Sequence, residues 1–248
     1  MHIASHKTHK ITEETDIFFL LDSYLPALRE KDIVVITSKI ISICQGRVLK
    51  NDGKVDKYEL IRQEADAVIE DEKLKRIGVM LTIKDDILIP NAGMDESNGN
   101  GYFIFWPKDI YQTAADIWQH LRKKHNLKHL GVIISDSHTT PLRWGTTGMG
   151  LAWCGFAALK DYIGKPDIFD RKLRVTKANM LDGLACAAVV TMGEGNEQTP
   201  LAVINDIPFI AFQDRPPTQK EIASLRISLA EDIFSPLLTT MSWKQKRK

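Results

Sequence analysis

The chain has 248 residues, and its 33 Lys and Arg nearly balance its 32 Asp and Glu, for a formal net charge of +1. With 44% hydrophobic residues, it can bury the core of one large domain or two modest ones. The balanced charge gives no electrostatic reason to expect a nucleic acid or a membrane surface as a partner.

The amino-terminal segment and the cysteines predict a cytoplasmic protein. Residues Met1–Lys7 lack the apolar core of a signal peptide, and the longest charge-free run, Gly145–Leu159, is short for a membrane span and rich in Gly. The three cysteines lie far apart and form no Cys-x-x-Cys pair, so we expect reduced thiols rather than disulfides or a zinc ribbon.

Hydrophobic periodicity predicts helices and strands that are interspersed along the chain. In chain order, the prediction is helix Asp16–Leu28, strand Asp32–Thr37, helix Val55–Glu70, strands Ile77–Ile83, Asp86–Pro90 and Tyr102–Trp106, helix Lys108–His125, strand Leu130–Ser135, helix Met180–Val190, strand Leu201–Ile204 and helix Thr218–Leu238. The strands do not alternate with helices as a doubly wound sheet requires, which favours a mixed α/β chain of the α+β kind. We expect residues 1–248 to form one functional unit with two lobes, and the basic tail Lys244–Lys248 to be solvated.

Three acidic residues are candidates for metal binding because of their positions. Asp95 lies in a polar loop that follows a predicted strand, Asp136 ends the apolar strand Leu130–Ser135, and Glu194 lies between two glycines. Hard cations such as Mg²⁺ or Mn²⁺ prefer oxygen ligands of this kind. The alternative is turn capping, since Asp and Asn also favour such loops for local hydrogen bonding.

A phosphate-binding site in this chain would not use one of the common Gly-rich loops. The sequence contains neither Gly-x-x-x-x-Gly-Lys-Ser/Thr nor Gly-x-Gly-x-x-Gly after a strand. The candidates are Thr37–Lys39, directly after a buried strand, and Gly193–Gly195. Arg47 and Arg143 could each clamp a carboxylate or phosphate, or could be ordinary surface arginines.

Several of these segments together resemble the coenzyme F-420-0:L-glutamate ligase family, the CofE-like γ-glutamyl ligases. The resemblance covers about Lys10 to Ile210 and is carried by an ordered set of motifs: Thr37-Ser38-Lys39-Ile40-Ile41-Ser42 with Gly46-Arg47, Asn91-Ala92-Gly93-Met94-Asp95 with Ser97-Asn98, Ile134-Ser135-Asp136-Ser137, Arg143-x-Gly145, and Gly193-Glu194-Gly195 followed by Pro200. It implies a two-lobed α+β fold, an intertwined homodimer, and a GTP-dependent (or ATP-dependent) ligase that uses Mg²⁺ or Mn²⁺, often aided by a monovalent cation such as K⁺.

The resemblance also assigns roles to residues. It implies that Asp95, Asp136, Ser137 and Glu194 bind metal, and that Ser38, Lys39, Asn98 and the Gly193–Gly195 turn contact the nucleotide. The early nucleotide-contacting segment falls on Thr8–Ile11 and includes Lys10 and Ile11.

Two departures from the family pattern concern the nucleotide and acceptor contacts. A family lysine is replaced by Ile43, and an early Leu-Pro-Leu-Ile segment is replaced by Thr8-His9-Lys10-Ile11, where Lys10 can restore a cation. The acid set is retained, so we expect ligase chemistry with an open choice of acceptor. Coenzyme F-420-0 and a folate-type molecule both combine a flat ring system with a carboxylate arm, and similar proteins have been suggested to act on folate.

The expected reaction is the addition of L-glutamate to a carboxylate of a cofactor precursor through an acyl phosphate. Metal ions on Asp95, Asp136 and Glu194 would neutralise phosphate charge, and Arg143 would hold a glutamate carboxylate. Two alternatives remain open at this stage. The acids could instead serve a metal-dependent phosphohydrolase, or the chain could be an inactive module that binds a nucleotide or cofactor.

Overall fold

The computed structural model describes residues 1–246, which fall into two compact units. Unit 1 consists of Met1–Gln45 and Pro107–Leu225, and unit 2 consists of Gly46–Trp106 and the segment from Arg226 onward. Arg247 and Lys248, the end of the predicted solvated tail, lie outside the described residues. Within residues 1–246, none of the helices is both long enough and apolar enough to cross a membrane.

The secondary structure confirms the predicted mixed α/β class. The strands are β1 (His2–His6), β2 (Ile33–Thr37), β3 (Val48–Lys50), β4 (Ala67–Ile69), β5 (Leu81–Lys84), β6 (Ile87–Pro90), β7 (Tyr102–Ile104), β8 (Gly131–Thr139), β9 (Thr146–Cys154), β10 (Leu159–Asp161), β11 (Lys177–Asn179), β12 (Leu201–Asn205) and β13 (Lys244–Gln245). The helices are α1 (Ile17–Tyr24), α2 (Ser38–Cys44), α3 (Lys57–Glu64), α4 (Glu72–Arg76), α5 (Ile110–His125), α6 (Met180–Met192), α7 (Gln219–Leu225) and α8 (Ser235–Leu238).

Unit 1 is built on a five-stranded sheet in the order β1-β12-β2-β8-β9. Strands β2 and β8 run parallel, and the other neighbouring pairs are antiparallel. Alternate residues of the central strands face two different cores. Val34 and Ile36 pack in the core that includes α1 and α5, whereas Ile33 and Val35 pack in the core that includes α6. Helices therefore cover both faces of this sheet, which explains why its central strands are apolar throughout.

Unit 2 contains a four-stranded antiparallel sheet in the order β13-β4-β5-β6, together with the β3–β7 pair. Its own core includes Ile61, Met80 and Phe103. In the predicted solvated tail, Lys244, Gln245 and Lys246 are exposed as expected, although Lys244 and Gln245 form β13 on the edge of β4. Lys244 also pairs with Glu70 at 3.2 Å.

The chain leaves unit 1 after Gln45 and returns at Pro107. Gln45 bridges these two points, since its Oε1 accepts the N–H of Lys108 at 2.9 Å and its Nε2 donates to Thr113 Oγ1 at 3.1 Å. The side chain of Gln45 thus holds two segments of unit 1 together at the point where residues 46–106 leave and rejoin that unit.

Two predicted helices are shorter than the sequence pattern indicated. The helix predicted over Val55–Glu70 ends at Glu64, since Ala67–Ile69 pairs with β5 instead. The helix predicted over Thr218–Leu238 ends at Leu225, and its continuation contains only the short α8. The predicted Thr218–Glu221 capping box is present, with Glu221 accepting the N–H of Thr218 at 2.7 Å and Thr218 Oγ1 accepting the N–H of Glu221 at 3.2 Å.

Candidate active site

One edge of the five-stranded sheet collects four of the segments that sequence analysis singled out. Thr37 pairs with Ser135 at the ends of the parallel β2–β8 ladder, so Ser38 and Asp136 both follow at this edge. Antiparallel β12 begins at the same edge, because Leu201 pairs with Ile36 and with His6. The chain before β12 and the chain after β1 therefore start from this edge as well.

Two backbone hydrogen bonds tie these segments to one another. The N–H of Thr8 donates to the carbonyl of Gln198 at 2.9 Å, and the N–H of Thr37 donates to the carbonyl of Pro200 at 3.1 Å. The segments that contain Lys10, Ser38, Asp136 and Glu194 thus belong to one region of unit 1, although they are far apart in sequence. Open α/β sheets commonly bind ligands outside the carboxyl ends of their parallel strands.

Ser38 and Lys39 begin α2 directly after β2. Ser38 is only 3% exposed, while Lys39 is partly exposed. Ile40 and Ile41 follow in the core of unit 1, so this helix is anchored by its apolar side chains. The anchoring fixes Ser38 and Lys39 at the sheet edge.

Asp136 lies within β8, not at the end of the strand as predicted. β8 continues to Thr139 because β9 pairs with it beyond the end of β2, with Asp136 opposite Met149 and Ser137 opposite Gly148. Both Asp136 and Ser137 are partly exposed, and the carboxylate of Asp136 accepts the N–H of Ser137 at 2.9 Å. A register shift between Ile134 and Ser135 marks the point where the ladder changes from the apolar core to this polar extension.

Helix α6 packs closely on β9 at Gly148 and Gly150. A Cβ atom at Gly148 would lie 2.5 Å from the carbonyl oxygen of Ala185, and one at Gly150 would lie 2.3 Å from Leu181 Cγ. Asp182, in the first turn of α6, accepts the N–H of Gly150 at 2.9 Å. The two glycines thus serve packing, and they hold α6 against the strand that supports Asp136 and Ser137.

The Gly193–Gly195 turn follows α6 directly, and Glu194 within it is exposed. Sequence reasoning missed Glu197, whose carboxylate accepts the N–H of Gly195 at 2.8 Å. A carboxylate bound to a turn amide shows that this backbone group can receive an anion. The signal available in the sequence was an acid two residues after a Gly-x-Gly turn.

In the early segment Thr8–Ile11, the side chains of Lys10 and Ile11 have different surroundings. Lys10 is exposed, while Ile11 packs against the core of unit 1 next to α1 and α5. Thr8 is buried and bonded through its backbone to Gln198. Lys10 can thus present a cation, whereas the side chain of Ile11 serves packing.

Asp95 and Asn98 lie in unit 2, in a tightly constrained loop. Asn91, Ala92 and Gly93 all have left-handed backbones, with φ of 56°, 53° and 71°. Asn91 Oδ1 accepts the N–H of Met80 at 2.8 Å. Asp95 accepts both the N–H and the hydroxyl of Ser97, at 2.8 and 2.9 Å.

The Asn-Ala-Gly part of the motif therefore has a structural role, since it fixes the backbone that carries Asp95. Asp95 also pairs with Ile104 through its backbone, which ties the loop to β7. Asn98 is exposed and itself has a left-handed backbone, with φ of 53°.

The two candidate arginines differ in their surroundings. Arg47 donates to both carboxylate oxygens of Glu64 at 2.9 Å and lies over the ring of Phe105, so it is a structural residue of unit 2. Burial opposes ionisation of Glu64, but hydrogen bonds from Lys84 and Arg47 lower the pKa of its carboxyl. Arg143 lies exposed in the turn between β8 and β9, where it can meet a ligand.

Across residues 1–246, no group of three or more His, Cys, Asp or Glu side chains is arranged to hold a metal ion. The proposed metal set Asp95, Asp136, Ser137 and Glu194 therefore stays a prediction. Mg²⁺ usually keeps several waters and is bound through one or two carboxylates together with substrate phosphates, so its sites need no all-protein cage.

Comparison with known proteins agrees with the motif resemblance. Residues 6–206 match the family model of the F420-0:gamma-glutamyl ligases. The chain is 32% identical over 220 residues to the coenzyme F420:L-glutamate ligase of Methanococcus maripaludis strain C7, which covers 84% of this chain and 86% of the relative.

Two further relatives carry the same name. The protein of Methanocaldococcus jannaschii is 31% identical over 212 residues, 79% of this chain and 84% of its own length. The protein of Halorubrum lacusprofundi is 30% identical over 219 residues, with coverage of 81% and 84%. The matched span of the family model contains every candidate site residue from Lys10 to Gly195, and the chain belongs to the F420-0:gamma-glutamyl ligase family.

Proposed function

We propose that the protein is a nucleotide- and metal-dependent γ-glutamyl ligase that joins L-glutamate to a carboxylate of a cofactor, either coenzyme F420-0 or a folate-type acceptor. The family match carries this proposal, because the relatives named coenzyme F420:L-glutamate ligase align over most of both chains. The proposal is supported by the convergence of the Lys10, Ser38, Asp136 and Glu194 segments at one sheet edge of unit 1.

The donor chemistry of this edge suits Mg²⁺ or Mn²⁺. Asp136, Ser137 and Glu194 offer carboxylate and hydroxyl oxygens, which are the ligands that hard cations prefer. Asp95, in unit 2, is a further proposed cation ligand. A bound divalent cation would neutralise the charge that builds up on phosphate oxygens during phosphoryl transfer.

The protein residues would bind and orient the reactants. Lys39 and Lys10 are the proposed cations for the nucleotide phosphates, and Ser38 and the Gly193–Gly195 turn are further proposed nucleotide contacts. Asn98 and Ile11 are the remaining proposed nucleotide contacts, and K⁺ is a proposed auxiliary cation. The exposed guanidinium of Arg143 is suited to binding a carboxylate of glutamate. The free amine of the bound glutamate would then attack the acyl phosphate and release inorganic phosphate.

A homodimer is part of the proposal, and the turn between β8 and β9 supports it. Leu142 and Trp144 at this turn are fully exposed, with relative exposures of 104% and 105%. Large apolar side chains left in water commonly mark a contact surface. The same turn carries Arg143, so a partner chain there would lie beside a proposed substrate contact.

The decisive assay combines GTP or ATP, Mg²⁺ or Mn²⁺, labelled L-glutamate and either acceptor. A ligase releases nucleoside diphosphate only when both glutamate and the correct acceptor are present, and the label appears in the acceptor. Release without glutamate would identify a phosphohydrolase, and nucleotide binding without turnover would identify an inactive module.

Asp136→Asn is the matched test of the proposed edge. We expect it to lower turnover at least 100-fold, because the amide cannot supply the negative charge that a divalent cation needs. Asp214→Asn, at an exposed position of unit 1, serves as the control and should keep full activity. Equal activity of the two variants would refute the assignment of Asp136.

A further inference from the structure

A cavity of ≈ 550 Å³ lies at the other end of the β2 and β8 strands, away from Ser38 and Asp136. Its walls come from the residues before β2, the residues before β8 and the residues after β12. Five residues of extended β2 separate this end from Ser38, a distance of roughly 16 Å along the strand. The cavity therefore lies apart from Ser38 and Asp136, and all of its lining residues belong to unit 1.

Three carboxylates line this cavity, and one of them, Glu30, already accepts two backbone N–H groups. Asp32 is only 3% exposed, and its Oδ2 accepts the N–H of Arg29 at 2.8 Å. Burial raises the pKa of the Asp32 carboxyl, against the opposing effects of the backbone N–H and the charge of Arg29, and the nearby charge of Asp206 raises it further. A buried carboxylate is stabilised by a cation, so the wall formed by Asp32 and Asp206 is suited to an ammonium group.

Two cations line the same cavity, at Arg29 and Lys31. In the described part of the chain, neither of them forms an ion pair, and neither Asp32 nor Asp206 does so. Opposite charges that share a cavity without forming an ion pair can both be satisfied by a ligand that carries both signs.

The remaining wall is apolar and firmly attached. It consists of Ile207, Ile210 and Phe212. The N–H of Ala157 donates to the carbonyl of Ala211 at 2.9 Å, and the N–H of Gln213 donates to the carbonyl of Gly155 at 2.8 Å. These bonds hold the wall in place, so it offers a preformed surface for a hydrocarbon group.

His129 also lines this cavity. Its ring lies 6.4 Å from that of Phe212, between centroids, and its Nδ1 is buried without a hydrogen-bond partner.

We propose that this cavity binds a free α-amino acid with an apolar side chain. The ammonium group would lie between Asp32 and Asp206, the carboxylate would contact Arg29 and Lys31, and the side chain would rest on the Ile207–Phe212 wall. A simple anion would face the buried carboxylate of Asp32.

The ligand requirement can be tested by calorimetry on the full chain with L-leucine and its two half-analogues. 3-Methylbutylamine lacks the carboxylate of leucine, and 4-methylpentanoate lacks its ammonium group. We expect leucine to bind at least tenfold more tightly than either analogue, because each analogue leaves one pair of charges unsatisfied. No detectable leucine binding, or equal binding of either analogue, would overturn the proposal.

Variants then assign the binding to this cavity. Asp206→Asn should weaken leucine binding at least tenfold, whereas Asp170→Asn should leave it unchanged. Asp170 is a matched control because both aspartates are exposed and have left-handed backbones, with φ of 53° at Asp206 and 62° at Asp170. Arg29→Gln should also weaken binding, with the exposed Arg174→Gln as its control. Full leucine affinity in Asp206→Asn would refute the site, and the result does not depend on ligase activity.

Discussion

Gly93 offers a sharp test of how the loop before Asp95 is built. Its backbone has a φ of 71°, and a Cβ atom there would lie 2.1 Å from the indole ring of Trp106. Gly93→Ala therefore combines two penalties. The left-handed backbone costs an alanine about 1–2 kcal/mol, and the clash with a buried ring costs a further 1–3 kcal/mol or so.

Gly101→Ala separates these two penalties. Gly101 also lies in unit 2 with a φ of 85°, but a Cβ atom at this position would have no neighbouring atom within 4 Å. This variant should lose only the backbone part, about 1–2 kcal/mol. The structure thus predicts that Gly93→Ala is the less stable of the two variants, by about 1–3 kcal/mol.

Urea unfolding followed by circular dichroism measures this difference, since both variants can be compared with the parent chain under one protocol. Equal losses in the two variants would refute the close approach of Gly93 to Trp106. A selective loss at Gly93 should also lower the proposed ligase activity, because the same loop carries Asp95.

The remaining predictions concern stability, thiol chemistry and assembly. Glu70→Gln should cost about 1 kcal/mol at pH 7. A hydrogen bond from Arg62 lowers the pKa of the Glu70 carboxyl to about 2. The stabilisation by Glu70 is therefore present above its ordinary pKa of 4.5 and is lost as the pH falls toward 2. Measuring the free energy of unfolding at several pH values can check this. Thr218→Ala should lower the unfolding free energy by about 1 kcal/mol through loss of the α7 cap, and an unchanged urea midpoint would count against it. Burial raises the pKa of the Cys154 thiol to about 12, so a thiol reagent should modify Cys154 only on unfolding, as mass spectrometry can determine. Trp144→Ser should weaken the proposed homodimer at least tenfold in analytical ultracentrifugation, whereas an unchanged dissociation constant would place the interface elsewhere.

Strong local patterns allowed much of unit 1 to be predicted from sequence. The apolar run at β2 and the amphipathic spacing of α5 gave elements with bounds within two residues of those in the structure. In unit 2, the predicted strands Ile77–Ile83 and Asp86–Pro90 correspond to β5 and β6, which are joined by Asp85 and Asp86 in left-handed conformations.

The errors arose where distant contacts or side-chain bonds decide the backbone. β9 was missed because its glycines are typical of a loop, and only the close approach of α6 explains them. The helix predicted beyond Leu225 was wrong, and in this segment the carboxylate of Asp232 accepts the N–H of Phe234, a local side-chain bond of the kind that competes with a continuous helix.

The candidate site was predictable in its parts but not in its arrangement. Motif resemblance identified Ser38, Asp136 and Glu194, while their common sheet edge depends on strand order, which pairs β12 with both β1 and β2. The role of Glu197 and the cavity beside Asp32 were not predicted from the sequence, because each depends on contacts formed by folding rather than on a sequence pattern.

The bridge that Gln45 makes to Lys108 and Thr113 has a consequence for protein engineering. All five strands of the β1-β12-β2-β8-β9 sheet come from outside the Gly46–Trp106 excursion. A short Gly-Ser linker from residue 45 to residue 108 would therefore join two points that already touch, at little entropic cost. Residues 46–106 could thus be exchanged between relatives while the parent sheet keeps its full set of strands, provided that the segment from Arg226 onward is exchanged with them, because its β13 pairs with β4.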